Sequence, residues 1–328
     1  MSNGILKIFF KRFLSSLITL FLLVSFLFVI IRLSPGNPTD KYVSDKLGSE
    51  LSEKIAERFA LNQPVTDQYL SFISNVFTGD FGVSYNYRLP VFQVIWQYFS
   101  FTLIFALISF IIQISLSVFL ALAIIKKKNK LLGDSASNAA LFIFSIPTFV
   151  LGVALIYFFS VHLNLLPISG LKSMDYDNLT LLGKILDKSA HMILPLITLT
   201  ASGVALFYKY IKESMDEVLH QTFIMKLRAS GVSEKKILRK HVLPNALRPL
   251  ISVAGIELGM LMGGALITEV IFSLPGMGRL TVDSIFSRDY PLIVGCALTA
   301  GVVIILTNFL ADLLKLKIDK RLIKGILN

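Results

Sequence analysis

Long uncharged runs alternate with short charged ones along this chain. Six runs can cross a bilayer, where a helix needs roughly 20 apolar residues, and the fourth of them is short. They are residues 9–31, 101–125, 138–161, 191–208, 250–272 and 291–311. Phe101 to Ile125 holds 25 residues without a charge and without the apolar–polar alternation of a membrane β-strand, which excludes a barrel. The pattern predicts an all-α polytopic membrane protein with six transmembrane helices. Pro147 and Pro195 fall inside spans, where proline kinks a helix. Gly259 and Gly263 form a G-x-x-x-G step in the fifth span, which allows close helix approach within the bundle or between copies.

Two connections are too long to be mere links. Residues 32–100 predict a small helical subdomain outside the membrane, with helical spacing over Ser49–Phe59 and turn chemistry at Gly79-Asp80-Phe81-Gly82. Residues 209–249 carry the strongest basic pattern in the chain. The chain thus divides into the first span (1–31), the outer subdomain (32–100) and a five-span core (101–328) with a charged hairpin at 212–249.

Composition supports this and orients it. Of 328 residues, 54% are hydrophobic and 16% charged, with a mean hydropathy of +0.72, whereas a soluble domain carries about 25% charge. Of the 32 Lys and Arg, 21 lie in the N-terminus, residues 126–130, the 209–248 connection and the tail, and 11 in the other three connections. Basic residues stay on the cytoplasmic side, so both termini are expected in the cytoplasm of a multi-pass cell-membrane protein. The net charge of +11 is then a topology signal and does not call for nucleic acid. The apolar run Phe13–Ile31 has 19 residues, longer than a signal peptide's core of 7–15, and reads as a retained span.

The hairpin reads as two helices. In the first, about Lys212–Ser230, Met215, Val218, Leu219 and Phe223 share a face. Gly231 follows, where a left-handed backbone suits glycine. Ser233 is a good N-cap, with Glu234 in the first turn complementing the helix dipole. In the second helix Ile237, Leu238, His241 and Val242 share one face, Lys235, Lys236, Arg239 and Lys240 line the other, and Pro244 ends it. Such a helix suits anionic lipid or a soluble partner equally.

Other chemistry is sparse. Glu257 reads as the one ionisable residue deep in a span. It either faces a wet pathway, where it would meet a cationic group of a substrate, or holds helices together by hydrogen bonds. His162 and His191 near the outer ends of spans form a weak metal pair. Cys296, the single cysteine, reads as a buried hydrophobe. Pro275-Gly276-Met277-Gly278-Arg279 reads as a tight bend in preference to a substrate contact. There is no G-x-x-x-x-G-K-[ST] loop and no catalytic constellation, so the chain is expected to be neither an enzyme nor an ATP binder.

The hairpin resembles the cytoplasmic signature of ABC-importer permeases: Glu-Ala-Ala, three residues, Gly, nine residues, Ile-x-Leu-Pro. Gly231, nine residues (Val232–Lys240) and Leu243-Pro244 are in register. Met225-Lys226-Leu227 stands at the Glu-Ala-Ala positions and His241 at the Ile. "RLSPGNP" (32–38), "LNQPVTDQYLSF", "GDFGVSY", "RASGVSEKKILRKHVLPNALRP", "TEVIFSLPGMGRL" and "RDYPL" are similar to the oligopeptide/dipeptide/nickel branch, in order from about residue 5 to 324.

That resemblance implies a type I importer permease architecture and an importer of oligopeptides or dipeptides, or alternatively of nickel or other metal chelates. It implies as partners a homologous second permease, two ABC ATPases holding the ATP and Mg, an extracellular substrate-binding protein and membrane lipid, with no cofactor on this chain. The hairpin becomes the coupling element, with Arg228, Ala229, Ser230, Gly231, Ser233, Lys235, Lys236, Leu243 and Pro244 toward an ATPase. A secondary transporter driven by an ion gradient is the alternative class. The absence of an inverted repeat and the signature hairpin argue against it.

Overall fold

The computed structural model describes residues 2–33, 64–127 and 129–318. The helix expected at Ser49–Phe59 and most of "RLSPGNP" lie outside the described residues. The described residues are almost wholly helical, and an isolated bridge, Val83 to Pro90, is the extent of their β-pairing. Many of the helices are rich in Ile, Val and Phe, which are indifferent helix formers in water. In lipid, where each backbone N–H and C=O must find a partner within its own segment, the helix is enforced by the apolar composition itself.

The α-helices among the described residues are α1 (Ser2–Leu33), α2 (Val65–Phe77), α3 (Val91–Lys126), α4 (Lys130–Ser145), α5 (Thr148–Leu155), α6 (Leu181–Leu219) and α7 (Thr222–Ala229). After these come α8 (Glu234–Lys236), α9 (Leu243–Leu247), α10 (Leu250–Met262), α11 (Leu266–Ile271), α12 (Met277–Ser287) and α13 (Tyr290–Ile318). Among the described residues, five helical stretches are long and apolar enough to cross a membrane: Arg12–Leu33, Val91–Lys126, Leu181–Leu219, Leu250–Ile271 and Tyr290–Lys315. The expected third span is a bent pair, Leu131–Ser145 and Thr148–His162, turned by 93°. Ile146 is extended (ψ 122°), the conformation that a following proline, here Pro147, favours for the preceding residue. With that pair taken as one span, the count is six. Pro195, in contrast, lies inside an uninterrupted α6.

The chain divides into two units, Met1–Ser100 with Leu280–Val303, and Phe101–Arg279 with Ile304–Asn328. In the first, α1 packs on α2 through Phe28, whose ring lies 5.3 Å from Tyr69 and 5.4 Å from Phe72. Ser25 Oγ is 2.7 Å from the Tyr69 hydroxyl. The expected turn at 79–82 is present: Gly79 and Gly82 have φ of 75° and 89°, and the Asp80 carboxylate accepts from the Gly82 amide. Asp289 stands before α13, where it accepts from Leu292 N (3.3 Å), Ser84 Oγ (2.5 Å) and Asn86 N (3.1 Å). One buried carboxylate thus caps a helix and pins the 84–86 turn.

In the second unit, α4, α5, α9, α10 and α11 all pack on the 39-residue α6. The close helix approach uses Gly255 and Gly259, one turn earlier than the expected step. A Cβ at Gly255 would meet Ala311, and one at Gly259 would meet Thr307 and the Ile304 backbone. Gly263 instead terminates α10. The glycine step therefore serves packing inside this chain. Cys296 is buried, as its apolar surroundings predict.

Candidate functional site

The hairpin is built on the end of α6. Met215 and Val218 are buried there as expected, but α6 stops at Leu219. The His220 ring takes the Asp216 carbonyl (2.7 Å), and Gln221 turns extended with ψ 145°. The single first helix expected to Ser230 is therefore two, and the break resets the register. Phe223 faces outward, and Ile224 takes the buried place. Gly231 has φ +75° and nothing within 4 Å of where a Cβ would stand. Its conformation is thus a backbone requirement and does not arise from crowding.

Ser233 occupies the N-cap with extended backbone but without a side-chain cap bond. Glu234 instead accepts from Arg228 Nε at 2.8 Å, closing a link across the Gly231 turn. Both side chains are about two-fifths exposed (41% and 39%), and exposed pairs of this kind contribute about 0.2–1 kcal/mol. The second helix does not end at Pro244. Ile237–Val242 is a π-helical stretch that runs directly into α9, with Pro244 in the first turn of that helix. Inside this continuous helical run the proline lacks an N–H and its ring crowds the preceding turn, which the widened turn upstream accommodates.

Ile237, Leu238 and Val242 are buried in a cluster with Phe207, Ile211 and Met215 of α6. Full burial stabilises by about 1.5–3 kcal/mol per side chain, so this anchor is substantial. Arg228, Ala229, Ser230, Gly231, Ser233, Lys235, Lys236 and Pro244 are exposed, as are Arg239 and Lys240, and Leu243 is half-buried. One face of the hairpin is welded to α6 while the basic tip is free to meet something else.

The second cluster was hidden in the sequence. Glu269, also inside the fifth apolar run, is fully buried (0% exposed), so Glu257 is not the one acid of that span. Its Oε1 accepts from Thr102 Oγ1 (2.9 Å), and its Oε2 from Gly278 N (2.6 Å) and Arg279 N (3.1 Å). The Thr102 hydroxyl in turn accepts from Met277 N (2.8 Å). A Cβ at Gly276 or Gly278 would run into the Glu269 carboxyl, and Gly264 (φ +120°) lies against the Gly278 backbone. Gly276, Met277 and Gly278 are buried, so the bend at 275–279 is an interior turn wrapped round a carboxylate. The detectable signal was the pair of glycines seven and nine residues after the acid, since close approach to backbone N–H groups needs residues without a Cβ.

Glu257 is half-buried on α10, and its carboxyl lies within hydrogen-bonding reach of the Gln113 side chain of α3. Gln113 is itself fully buried, donates to the Leu199 carbonyl (3.3 Å) and lies in the notch left by Gly203. His162 and His191 form no pair. His191 Nδ1 lies 2.8 Å from the Asp187 carbonyl on its own helix, and His162 is exposed beside Phe158.

Comparison with known proteins places this architecture. Residues 113–324 match the family described as binding-protein-dependent transport system inner membrane component, and residues 5–106 match the N-terminal part of such membrane components. The chain belongs to this family of multi-pass inner-membrane permeases. It is 32% identical over 296 residues to the oligopeptide transport system permease protein AppB of Bacillus subtilis, covering 90% of this chain and 92% of that one. It is 33% identical over 324 residues to the dipeptide transport system permease protein DppB of Escherichia coli (93% and 96%). It is 32% identical over 304 residues to the glutathione transport system permease protein GsiC of the same species (93% and 94%). Among solved structures, an inward-facing MetNI methionine ABC transporter matches with a TM-score of 0.53 at 20% identity, covering 69% of this chain and 97% of that one. The fold is that of an ABC importer permease.

Proposed function

We propose that the chain is one permease half of an ATP-driven importer of short peptides, and that 222–249 is the element through which separate ATPases move it. The carrying observation is the two-faced hairpin: Ile237, Leu238 and Val242 anchor it to α6, while Arg228, Ala229, Ser230, Ser233, Lys235 and Lys236 stand exposed around Gly231. A transporter changes state only if its energy source binds the two states differently. A separate motor can impose that difference only through a stiff contact, and an anchored, glycine-hinged turn is stiffer than a loop.

In this reading a homologous second permease completes the pathway, and two ATPases carry the ATP and Mg. An extracellular binding protein delivers the substrate, and both termini lie in the cytoplasm. The relatives named for oligopeptide, dipeptide and glutathione transport support a peptide cargo. Membership in a binding-protein-dependent family argues against an ion gradient as the driving force. Cysteine-directed crosslinking tests the reading. The single native cysteine is buried, so a Ser233→Cys chain carries one accessible thiol. In membranes holding the whole transporter that thiol is expected to capture an ATPase subunit, and capture of none overturns the reading.

A further inference from the structure

Away from the hairpin and the Glu269 turn, charge gathers at the start of α6. The ammonium groups of Lys172, Lys184 and Lys188 lie 5.0, 5.6 and 5.1 Å from the centroid of the Tyr176 ring. The ring attracts each of them, but three like charges around one ring repel one another, and among the described residues an ion pair reaches Lys172 alone. Asp177 meets Lys172 at 3.4 Å. Asp187 is turned away, accepting from Ser173 N (3.0 Å) beside His191 (3.7 Å). Asp175 is exposed and joins no ion pair among the described residues, and neither do Lys184 and Lys188, one turn apart on α6. The first turn of α6 holds no acid, so the positive end of its dipole adds to the same sign.

Directly beside this rim, Leu181, Leu182, Ile185 and Leu186 are 79%, 67%, 55% and 61% exposed, and Met174 is fully so. A greasy strip next to a cationic rim, at the end of a helix long enough to cross a bilayer, matches the boundary between acyl chains and headgroups, where lysine stems lie on apolar surface and their heads reach outward. Ammonium groups at that depth attract anionic headgroups on whichever leaflet they meet.

We propose that Lys184 and Lys188, with Lys172 and Tyr176, bind the headgroup phosphate of an anionic phospholipid whose acyl chains lie on the Leu181 and Ile185 side of α6. The test uses the full-length chain in nanodiscs of equal phosphatidylglycerol and phosphatidylcholine, with retained lipid read by native mass spectrometry. The wild type is expected to retain phosphatidylglycerol several-fold over phosphatidylcholine. K184Q/K188Q should lose that preference, K184R/K188R should keep it, and K126Q/K127Q, at the end of α3, should also keep it. Equal preference in wild type and K184Q/K188Q overturns the proposal. So does displacement of the lipid by soluble glycerol phosphate, which would mark a free-phosphate site. A photocrosslinker at Leu182 that captures protein in place of lipid in native membranes overturns it as well, and that arm does not depend on how the lysine variants fold.

Discussion

At Gly231 the backbone is held at φ +75° with open space where a side chain would begin, so a substitution there isolates a conformational cost from a packing cost. An L-residue in this region loses about 1–2 kcal/mol, and Asn tolerates it best. Gly231→Val is therefore expected to uncouple peptide uptake from ATP hydrolysis in the reconstituted transporter while the complex still assembles, and Gly231→Asn should keep most of the coupling. Uptake and ATPase rate measured side by side decide it, and normal uptake in the valine variant would remove Gly231 from the coupling role. Thr102 isolates a different quantity. Its hydroxyl both donates to Glu269 and accepts from Met277 N, and Thr102→Val keeps the shape while removing the donor to Glu269 Oε1 and the acceptor of the Met277 amide. Each unmade bond costs about 1–3 kcal/mol. The variant should melt several degrees lower in detergent, whereas Thr102→Ser should melt close to wild type. An unchanged Tm for Thr102→Val would mean that the turn does not depend on the carboxylate's partners.

At the scale of elements, the hairpin works as a lever only if its inner face holds. Removing Ile237 and Val242 side chains together, each fully buried, should cost about 2–5 kcal/mol at Ile237 and less at Val242. I237A/V242A is expected to leave ATP hydrolysis running in the assembled transporter while uptake falls by more than tenfold. Parallel loss of both activities would indicate collapse of the hairpin in place of a slack lever. The elements most legible in the sequence were those set by composition: the apolar spans, and the alternation of Ile237, Leu238 and Val242 against Lys235, Lys236, Arg239 and Lys240. The Gly231 turn was legible because one residue type fits it. The break at His220–Gln221 was not, since periodicity on either side reads as continuous and only a two-residue departure shifts burial from Phe223 to Ile224. Nor was the π-helical passage into Pro244, because proline as a stop and proline in a first turn look alike in a string of letters. Glu269 was missed for a related reason. Its partners are mostly backbone amides, which leave no mark on the sequence beyond Gly276 and Gly278.

For the molecule as a whole, the question is what a carboxylate does in the middle of a membrane span. Glu257 lies seven residues into a 22-residue apolar stretch, about 10 Å along the helix at 1.5 Å per residue, and it is only half-buried by this chain. Facing lipid there would cost several kcal/mol, so its open side must be met by water or by another subunit. The buried acids differ in this respect: Glu269 and Asp289 have their donors supplied within the chain, while Glu257 has the single amide of Gln113 beside it. If its open side faces the pathway of the proposed peptide cargo, the carboxylate is suited to cationic groups, since hydrogen bonds to charged groups contribute about 1.5–3 kcal/mol. Glu257→Gln should then raise the KM for lysine- or arginine-containing peptides by roughly tenfold or more and leave neutral and acidic peptides near their wild-type values. An equal fall for all cargo would assign Glu257 to holding α10 against α3. Uptake kinetics unchanged across the set would place its open side against a neighbouring subunit, away from the path that substrate takes.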